Sequence, residues 1–179
     1  METNAALKRN VELKARCPDL DRAQAIAKEL GAGDPTIEHQ RDTYFHVSHG
    51  RLKLREIEGR GATLIWYDRP DDSHARLSRY LITPVADAET TRQILSLALG
   101  VHRVVEKERQ IMLYRNVRLH FDRVAGLGDF IEFEAVLSPE EPEPSGQDIL
   151  AELRIRFAIT DADVFQGSYE AMPPNPSSI

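Results

Sequence analysis

Charged side chains recur at every second position in several segments of this chain. Successive side chains of a β-strand point to opposite faces, so this spacing places the charges of each segment on one strand face. The positions between them are mostly apolar, as in Val11 and Leu13 or Leu52 and Leu54. The residues that share charged faces in this way are Glu12, Lys14, Lys53, Arg55, Arg118, His120, Asp122, Glu132 and Glu134.

The mixture of bases and acids suits one kind of chemistry if these faces meet in an enclosed space. Clustered Lys and Arg match the charge of phosphate oxygens, and Arg binds them with forked donors. Clustered carboxylates hold a hard divalent cation through oxygen ligands. Together they indicate a site for a metal and a polyphosphate. A charged face opposite an apolar one is, however, more often a solvent face, and the alternation alone leaves both interpretations open.

The elements that carry these residues are predominantly strands. Runs of β-branched, aromatic and alternating residues, separated by turn residues, predict eight strands. Their approximate ranges are 9–16, 36–47, 51–58, 62–68, 75–85, 103–114, 117–124 and 129–137. The Ala125–Gly128 stretch is predicted as the hairpin turn before the last strand.

Three helices are predicted between and after the strands. Asp19 or Asp21 caps the first, which ends near Leu30 with Gly31 as its stop. The second spans 87–99, with Ile94, Leu95, Ala98 and Leu99 on its buried side, and the third spans about 148–157. We therefore predict an α+β fold, mainly antiparallel β, as one closed eight-stranded barrel with flanking helices. If its apolar faces point outward under the helices, its interior must hold charges of both signs, but the strand pattern alone does not decide which face is inside.

Composition limits the domain count and the partners. At 179 residues the chain has the length of one domain, which we place at 1–172, with a flexible acidic linker at 138–146 and a disordered tail at 173–179. The net charge of −6 argues against nucleic-acid binding. A single cysteine, the lack of a membrane-spanning apolar run and the absence of a signal peptide favour a cytoplasmic protein without membrane contact. Whether it forms a homodimer stays open.

The segment Val11–Arg16 resembles the opening motif of the CYTH proteins, which are named for class IV adenylate cyclase and thiamine triphosphatase. They are also called triphosphate tunnel metalloenzymes. Further matching segments appear in the order of the family. They are Leu52–Glu56, Glu106–Arg109, Leu119–Val124, Gly126–Glu134 and Gly167–Tyr169. The Gly126–Glu134 segment is most similar to the class IV adenylate cyclase branch.

The resemblance implies an eight-stranded tunnel in which acids hold Mg²⁺ or Mn²⁺ and bases hold a triphosphate. The acids that fall on the metal-binding positions are Glu12, Asp122, Glu132 and Glu134. The bases that fall on the triphosphate-binding positions are Lys14, Lys53, Arg55, Lys107, Arg109 and Arg118, and Arg69 and Arg79 align more loosely. Lys14, Arg55 and Glu132 are expected to be catalytic.

Three functions are compatible with this resemblance. The chain is expected to be a metal-dependent enzyme that, like class IV adenylate cyclase, converts ATP to cyclic AMP and pyrophosphate. It is alternatively a triphosphatase that hydrolyses tripolyphosphate or thiamine triphosphate. The third function is a triphosphate- or polyphosphate-binding module without catalysis. Asn10 favours this last alternative because it replaces the first acid of the family motif Glu-x-Glu-x-Lys, which weakens one metal ligand.

Four other side chains are further candidates. His120 is either a base or a hydrogen-bond donor to phosphate or carboxylate. Tyr44 and Tyr169 are candidates for closing the tunnel mouth, although Tyr44 is equally typical of a strand aromatic. Trp66 would suit stacking on an adenine, but a tryptophan within a strand is more often a packing residue.

Overall fold

The computed structural model of the chain describes residues 7–69, 75–165 and 167–173. These residues form eight strands, three α-helices and one short 3₁₀-helix. The strands are β1 Lys8–Arg16, β2 Thr36–Phe45, β3 Arg51–Ile57, β4 Gly61–Asp68, β5 Arg76–Val85, β6 Val101–Tyr114, β7 Val117–Val124 and β8 Gly128–Leu137. The α-helices are α1 Leu20–Glu29, α2 Ala88–Leu99 and α3 Glu143–Arg156, and the 3₁₀-helix is Tyr169–Ala171.

The strands close into an antiparallel barrel, which confirms the predicted fold. Their order around the barrel is β1-β5-β4-β3-β2-β6-β7-β8, and β8 pairs with β1 to complete it. Closure leaves no free sheet edge and fixes which residues face each other across neighbouring strands.

The alternation within each strand separates the apolar core from the charged interior. In β1, Val11, Leu13 and Ala15 are buried in a hydrophobic cluster that includes residues of α1 and α3. Glu12 and Lys14 lie between them and face the inside of the barrel. The main apolar core therefore lies outside the barrel wall, beneath the helices, and the charged faces point inward as predicted.

The helices cover the barrel with two differences from the prediction. Helix α3 begins at Glu143 instead of near 148, so that the last four residues of the predicted linker form its first turn. Gly146 allows this helix to approach β1 closely, because an added Cβ would lie 2.8 Å from a methyl carbon of Val11. The tail predicted at 173–179 lies outside the described residues except for its first position.

Helix α2 buries less than its pattern indicated. The prediction placed Ile94 on the buried side, but it is 59% exposed, and no residue of this helix is fully buried. The helix is held to the barrel by partial packing of Leu95 and by an ion pair of 2.6 Å between Arg92 Nη1 and Glu56 Oε1. None of the helices in the described part of the chain has the length and apolar character needed to span a membrane.

Candidate active site

The interior of the barrel contains a cavity of about 330 Å³. All eight strands contribute side chains to it, because each strand turns one alternating face inward. Seven of the lining side chains are basic: Lys14, Lys53, Arg55, Arg69, Lys107, Arg109 and Arg118. Four are carboxylates: Glu12, Glu38, Glu132 and Glu134. The cavity surface is therefore predominantly basic, although the whole chain is acidic.

One group of bases surrounds the carboxylate of Asp42, which has no exposed surface. Arg55 donates two hydrogen bonds of 2.7 Å, one to each carboxylate oxygen, and Lys53 Nζ and Lys107 Nζ lie 3.0 and 3.2 Å from Oδ2. Burial alone would raise the pKa of Asp42, but these three cations hold it well below its usual range. Asp42, Lys53, Arg55 and Lys107 are called the Asp42 cluster below.

The lysines of the Asp42 cluster are crowded by other cations. Burial, followed by the charge of Arg55, lowers the pKa of Lys53 to about 8 despite the attraction of Asp42. Burial also lowers the pKa of Lys107 well below its usual value, and the charges of Arg109 and Arg55 act in the same direction. Burial is the main cause of both shifts, and the neighbouring arginines add a repulsion that the single charge of Asp42 does not offset.

A second group of charges lies on β1, β6, β7 and β8. Arg109 donates to both oxygens of Asp122, at 2.6 and 2.5 Å, and to Glu132 at 3.2 Å. Lys14 Nζ lies 3.0 Å from Glu132 Oε2. Burial would raise the pKa of Glu132, but the charges of Lys14 and Arg109 hold it well below its usual range. Each of these acids is therefore ionised and paired with a base.

A third group contains Asn10, which stands where the family motif has its first acid. The Asn10 side chain is buried and donates a hydrogen bond to Glu134, which also accepts one of 3.1 Å from Arg118. His120 lies between Glu132 and Glu134, with Nδ1 3.6 Å from the first and Nε2 3.7 Å from the second. Burial and then the charge of Arg109 lower the pKa of His120, so its imidazole is neutral at pH 7.

The acids that the resemblance assigns to a metal have suitable chemistry but are paired with bases. Among residues 7–69, 75–165 and 167–173, no three His, Cys, Asp or Glu side chains come together as a metal-binding group. Glu12 and Glu134 are directly opposite each other on β1 and β8, and carboxylate oxygens are the ligands that Mg²⁺ and Mn²⁺ prefer. Glu12 contacts Arg69 and Glu134 contacts Arg118. The donor set therefore fits a hard cation once these ion pairs open.

One end of the barrel, called the closed end, is covered by residues 167–172. Ser168 accepts a hydrogen bond of 3.1 Å from Tyr67, and Glu170 pairs with Arg51 at 2.9 Å. Tyr169 is 1% exposed and its hydroxyl donates to Asp122 at 2.7 Å. The same ring lies 3.6 Å from Lys14 Nζ, a cation–π contact. The covering segment is thus part of the charged interior.

The opposite end, called the open end, has apolar side chains at its rim. Ile57 lies where β3 ends, and Ile82 and Ile111 lie near the ends of β5 and β6. The polar side chains of Thr63, Glu38 and Arg118, near the starts of β4, β2 and β7, line the same end. Ile82 lines the cavity and is also 43% exposed. The inward faces of β4 and β5 carry no charge between these rim residues and Tyr67. The wall of the cavity is therefore basic on one side and neutral on the other.

A larger and shallower groove of about 640 Å³ runs along the outer wall of β2, β3, β6 and β7. Its lining has more acids than bases: the acids are Glu56, Glu58, Glu106, Glu108 and Asp129, and the bases are Arg41, Lys107 and Arg123. Carboxylates repel a phosphate, so the smaller interior cavity is the better site for an anion despite its volume.

The structure brings the predicted site residues together in the barrel interior. Nine of the ten predicted site residues line the interior cavity, and the tenth, Asp122, is buried directly behind Arg109. Their roles stay predictions. Of the two loosely aligned bases, Arg69 lies inside and contacts Glu12, whereas Arg79 is exposed on β5. Tyr44 and Tyr169 line the cavity, but Trp66 does not and donates to the carbonyl of His49 instead.

Sequence reasoning missed Asp42 and Arg76. Asp42 sits in the run Gln40–Phe45, in which four polar residues precede two aromatic ones, so no alternation separates a charged face from an apolar one. Its partners become visible only through the pairing of β2 with β3, which places Asp42 directly opposite Arg55. Arg76 is buried at the start of β5 and donates to the carbonyl of Gly167 at 3.4 Å. In the sequence, Arg76 follows a segment outside the described residues and belongs to no alternating pattern of charged residues that would indicate a site.

Known structures with the same fold resemble this chain over most of its length. The PH1012 protein of Pyrococcus horikoshii OT3 is 27% identical, with a TM-score of 0.81 over 90% of this chain and 97% of its own. A candidate adenylate cyclase of Vibrio parahaemolyticus is 21% identical, with a TM-score of 0.71 over 90% and 95%.

A candidate adenylyl cyclase of Hippeastrum with a dominant triphosphatase activity is 13% identical, with a TM-score of 0.57 over 85% of this chain and 88% of its own. No curated protein matches the sequence. The CYTH domain itself matches residues 8–169, which is nearly the entire chain. Together with the closed barrel and its charged interior, this match shows that the chain belongs to the CYTH domain family.

Proposed function

We propose that this chain is a divalent-metal-dependent enzyme that acts on a nucleoside triphosphate inside the barrel, in the manner of a class IV adenylate cyclase. The proposal rests on one observation, the basic interior of a cavity with one closed end. Lys14, Lys53, Lys107 and Arg109 point into it from three strands, together with Arg55. The oxygens of a triphosphate would compete with the carboxylates for these donors and supply the negative charge that the cluster lacks.

The apolar rim favours a triphosphate that carries an organic group. The closed end is filled by residues 167–172, so a group esterified to the triphosphate would extend toward the open end. There it would meet Ile57, Ile82 and Ile111, whose burial under a ligand would be favourable. Inorganic tripolyphosphate has no group to cover these side chains. ATP is therefore proposed before tripolyphosphate.

Mg²⁺ or Mn²⁺ is proposed as the cofactor, with Glu12, Asp122, Glu132 and Glu134 as its ligands. When bound, the metal would supply positive charge that polarises a phosphoryl oxygen. The bases of the chain would neutralise the remaining phosphate oxygens and orient the triphosphate. Catalysis of this kind consists mainly of positioning and charge stabilisation. Lys14, Arg55 and Glu132 are proposed as the residues whose loss affects turnover most.

Cyclisation also requires a proton acceptor. The ribose 3′-oxygen would form a bond to the α-phosphorus, the bond to the bridging oxygen would break, and pyrophosphate would leave with the electron pair. The proton of the 3′-hydroxyl must then be removed. His120 is suited to this because its imidazole is neutral at pH 7 and its Nδ1 has no hydrogen-bond partner among the described residues.

A product assay tests the proposal. The purified protein is incubated with Mn²⁺ or Mg²⁺ and ATP, tripolyphosphate or thiamine triphosphate. Cyclic AMP and pyrophosphate from ATP are expected, and Arg55→Ala should abolish them while Arg60→Ala, an exposed base on the adjoining turn, should leave them unchanged. Release of orthophosphate from tripolyphosphate alone, without cyclic AMP, would overturn the cyclase assignment.

Hydrolysis is the second candidate, since the same charges would serve attack by water. The fold similarity to the Hippeastrum protein, which has a dominant triphosphatase activity, supports keeping it. A binding module without catalysis is the third candidate. It is favoured by Asn10, whose side chain occupies the inner face beside Glu134 without contributing a charge. Binding of every triphosphate without turnover of any would support this candidate.

A further inference from the structure

The Asp42 cluster contains a buried acid that is separate from the proposed metal-binding acids. Asp42 lies on β2 and faces Arg55 and Lys53 of β3 and Lys107 of β6. Four hydrogen bonds of 2.7 to 3.2 Å converge on its two oxygens, and three of them end on Oδ2. No other carboxylate is hydrogen-bonded to these three bases in the described part of the chain.

We propose that Asp42 is a positioning residue of the triphosphate site, whose carboxylate holds Lys53 and Lys107 beside Arg55 in one cluster and whose charge favours the protonated form of both lysines. This proposal rests on the proposed function, because its consequence is seen in triphosphate binding. Asp42 itself does not contact the ligand. It lies behind the bases and is absent from the surface of the cavity.

The reason is the crowding of cations around both lysines. Without Asp42, burial and neighbouring positive charges would favour the neutral amines. The charged and titratable groups around Lys53 are Asp42 and Tyr44 on β2, Arg55 on β3, Tyr67 on β4, and Lys107 and Arg109 on β6. Those around Lys107 are Asp42, Arg55, Arg109, Asp122 and Tyr169. Asp42 is the acid in direct contact with both amines, as the hydrogen bonds show.

The consequence is a specific pH dependence of binding. With Asp42 in place, the pKa of Lys53 is about 8, so this lysine is largely charged at neutral pH. Asp42→Asn keeps the shape of the side chain and removes its charge, so both lysines should lose their protons at lower pH. Relative to the wild type, the variant should bind an anion best in mild acid, where more of its lysine side chains are protonated, and more poorly as the pH rises to 8.

The experiment measures the Kd for tripolyphosphate by calorimetry, without metal, from pH 6 to pH 9. The ratio of the variant Kd to the wild-type Kd at each pH cancels the titration of the ligand. For Asp42→Asn this ratio should be near or below one at pH 6 and should rise roughly tenfold or more by pH 8. The reason is that each pH unit above a pKa removes about nine-tenths of the remaining protonated form. Glu106→Gln, an exposed change of equal charge on β6, should give a constant ratio.

A constant ratio for Asp42→Asn would overturn the proposal, because a purely structural role would weaken binding equally at every pH. If this variant fails to fold, Lys53→Arg serves instead. Arginine stays charged, so the ratio of its Kd to the wild-type Kd should fall about tenfold between pH 7 and pH 9. An unchanging ratio would again contradict the proposal.

Titration of the lysine side chains by carbon-13 NMR separates this proposal from the proposed function. Absence of tripolyphosphate binding to the wild type at every pH would refute the function but would leave this measurement possible. The Lys53 signal should titrate near pH 8 in the wild type and at lower pH in Asp42→Asn. Equal titration in the two proteins would refute the role of Asp42 alone.

Discussion

Replacing Glu132 by glutamine should lower stability, tighten metal-free triphosphate binding and abolish turnover. The Glu132 carboxylate is buried and accepts from Lys14 at 3.0 Å and Arg109 at 3.2 Å. Glutamine has nearly the same shape but no charge, so two buried cations lose a counter-charge. Removing one partner of a buried ion pair typically costs about 3–5 kcal/mol in the free energy of unfolding. Asp122 still compensates Arg109, so we expect about 3 kcal/mol at pH 7.

The sign of the pH dependence follows from the lowered pKa of Glu132. Burial raises this pKa, but the charges of Lys14 and Arg109 lower it further. A carboxyl group with a lower pKa in the folded state stabilises the fold above its unfolded pKa of about 4.3, and this contribution is lost as pH falls toward the folded pKa. Urea unfolding should therefore show a large difference between wild type and variant at pH 7 that shrinks steadily below pH 4.

Binding should change in the opposite direction from stability. Without the Glu132 charge, Lys14 and Arg109 are freer to pair with phosphate, so metal-free tripolyphosphate should bind on the order of tenfold more tightly, or about 1.4 kcal/mol. Turnover with Mn²⁺ should be lost. Glu152→Gln on α3 is the matched control, since it removes one exposed charge and should change none of the three quantities. Unchanged stability together with weaker metal-free binding would refute the reasoning.

Three further substitutions test other parts of the structure. Asn10→Glu restores the acid of the family motif. If the native site lacks a metal ligand at this position, the variant should bind Mn²⁺ about tenfold more tightly or better. Unchanged Mn²⁺ affinity in a titration would show that no ligand is missing. Phe133→Ala removes a fully buried ring from the outer core and should lower the free energy of unfolding by about 3–5 kcal/mol, measured in urea, and a loss below 1 kcal/mol would contradict this packing. Gly50→Ala should lower the melting temperature more than Gly59→Ala. Both glycines have a positive φ, but an added Cβ would lie 2.8 Å from Trp66 Nε1 at Gly50 and would meet nothing within 4 Å at Gly59. Equal losses at the two glycines would contradict that close approach.

The sequence predicted the barrel because its strands alternate cleanly between apolar and charged residues. In β8, Ile131, Phe133 and Ala135 are buried on the outer side while Glu132 and Glu134 line the cavity. Such alternation shows that a strand has two different faces, but it does not show which face is enclosed by the barrel. Closure of the sheet decides this, and closure depends on pairings such as β1 with β8 that join residues more than a hundred positions apart.

The parts that were missed depend on information that a single sequence does not carry. Asp42 meets its basic partners through cross-strand register, and Arg76 contacts the covering segment at Gly167. Helix α2 shows the reverse case, because Ile94 has helical apolar spacing and yet remains exposed. Spacing predicts an amphipathic helix, whereas burial depends on whether another surface lies against it.

We propose above all that the basic interior of the barrel is the triphosphate site. A crystal structure of the protein with a non-hydrolysable ATP analogue and Mn²⁺ tests it most directly. We predict triphosphate oxygens within hydrogen-bond distance of Lys14, Lys53, Lys107 and Arg109, with the nucleoside at the open end near Ile82. An analogue bound in the outer groove beside Glu106, with the ion pairs of Glu132 and Asp122 unchanged, would contradict the account.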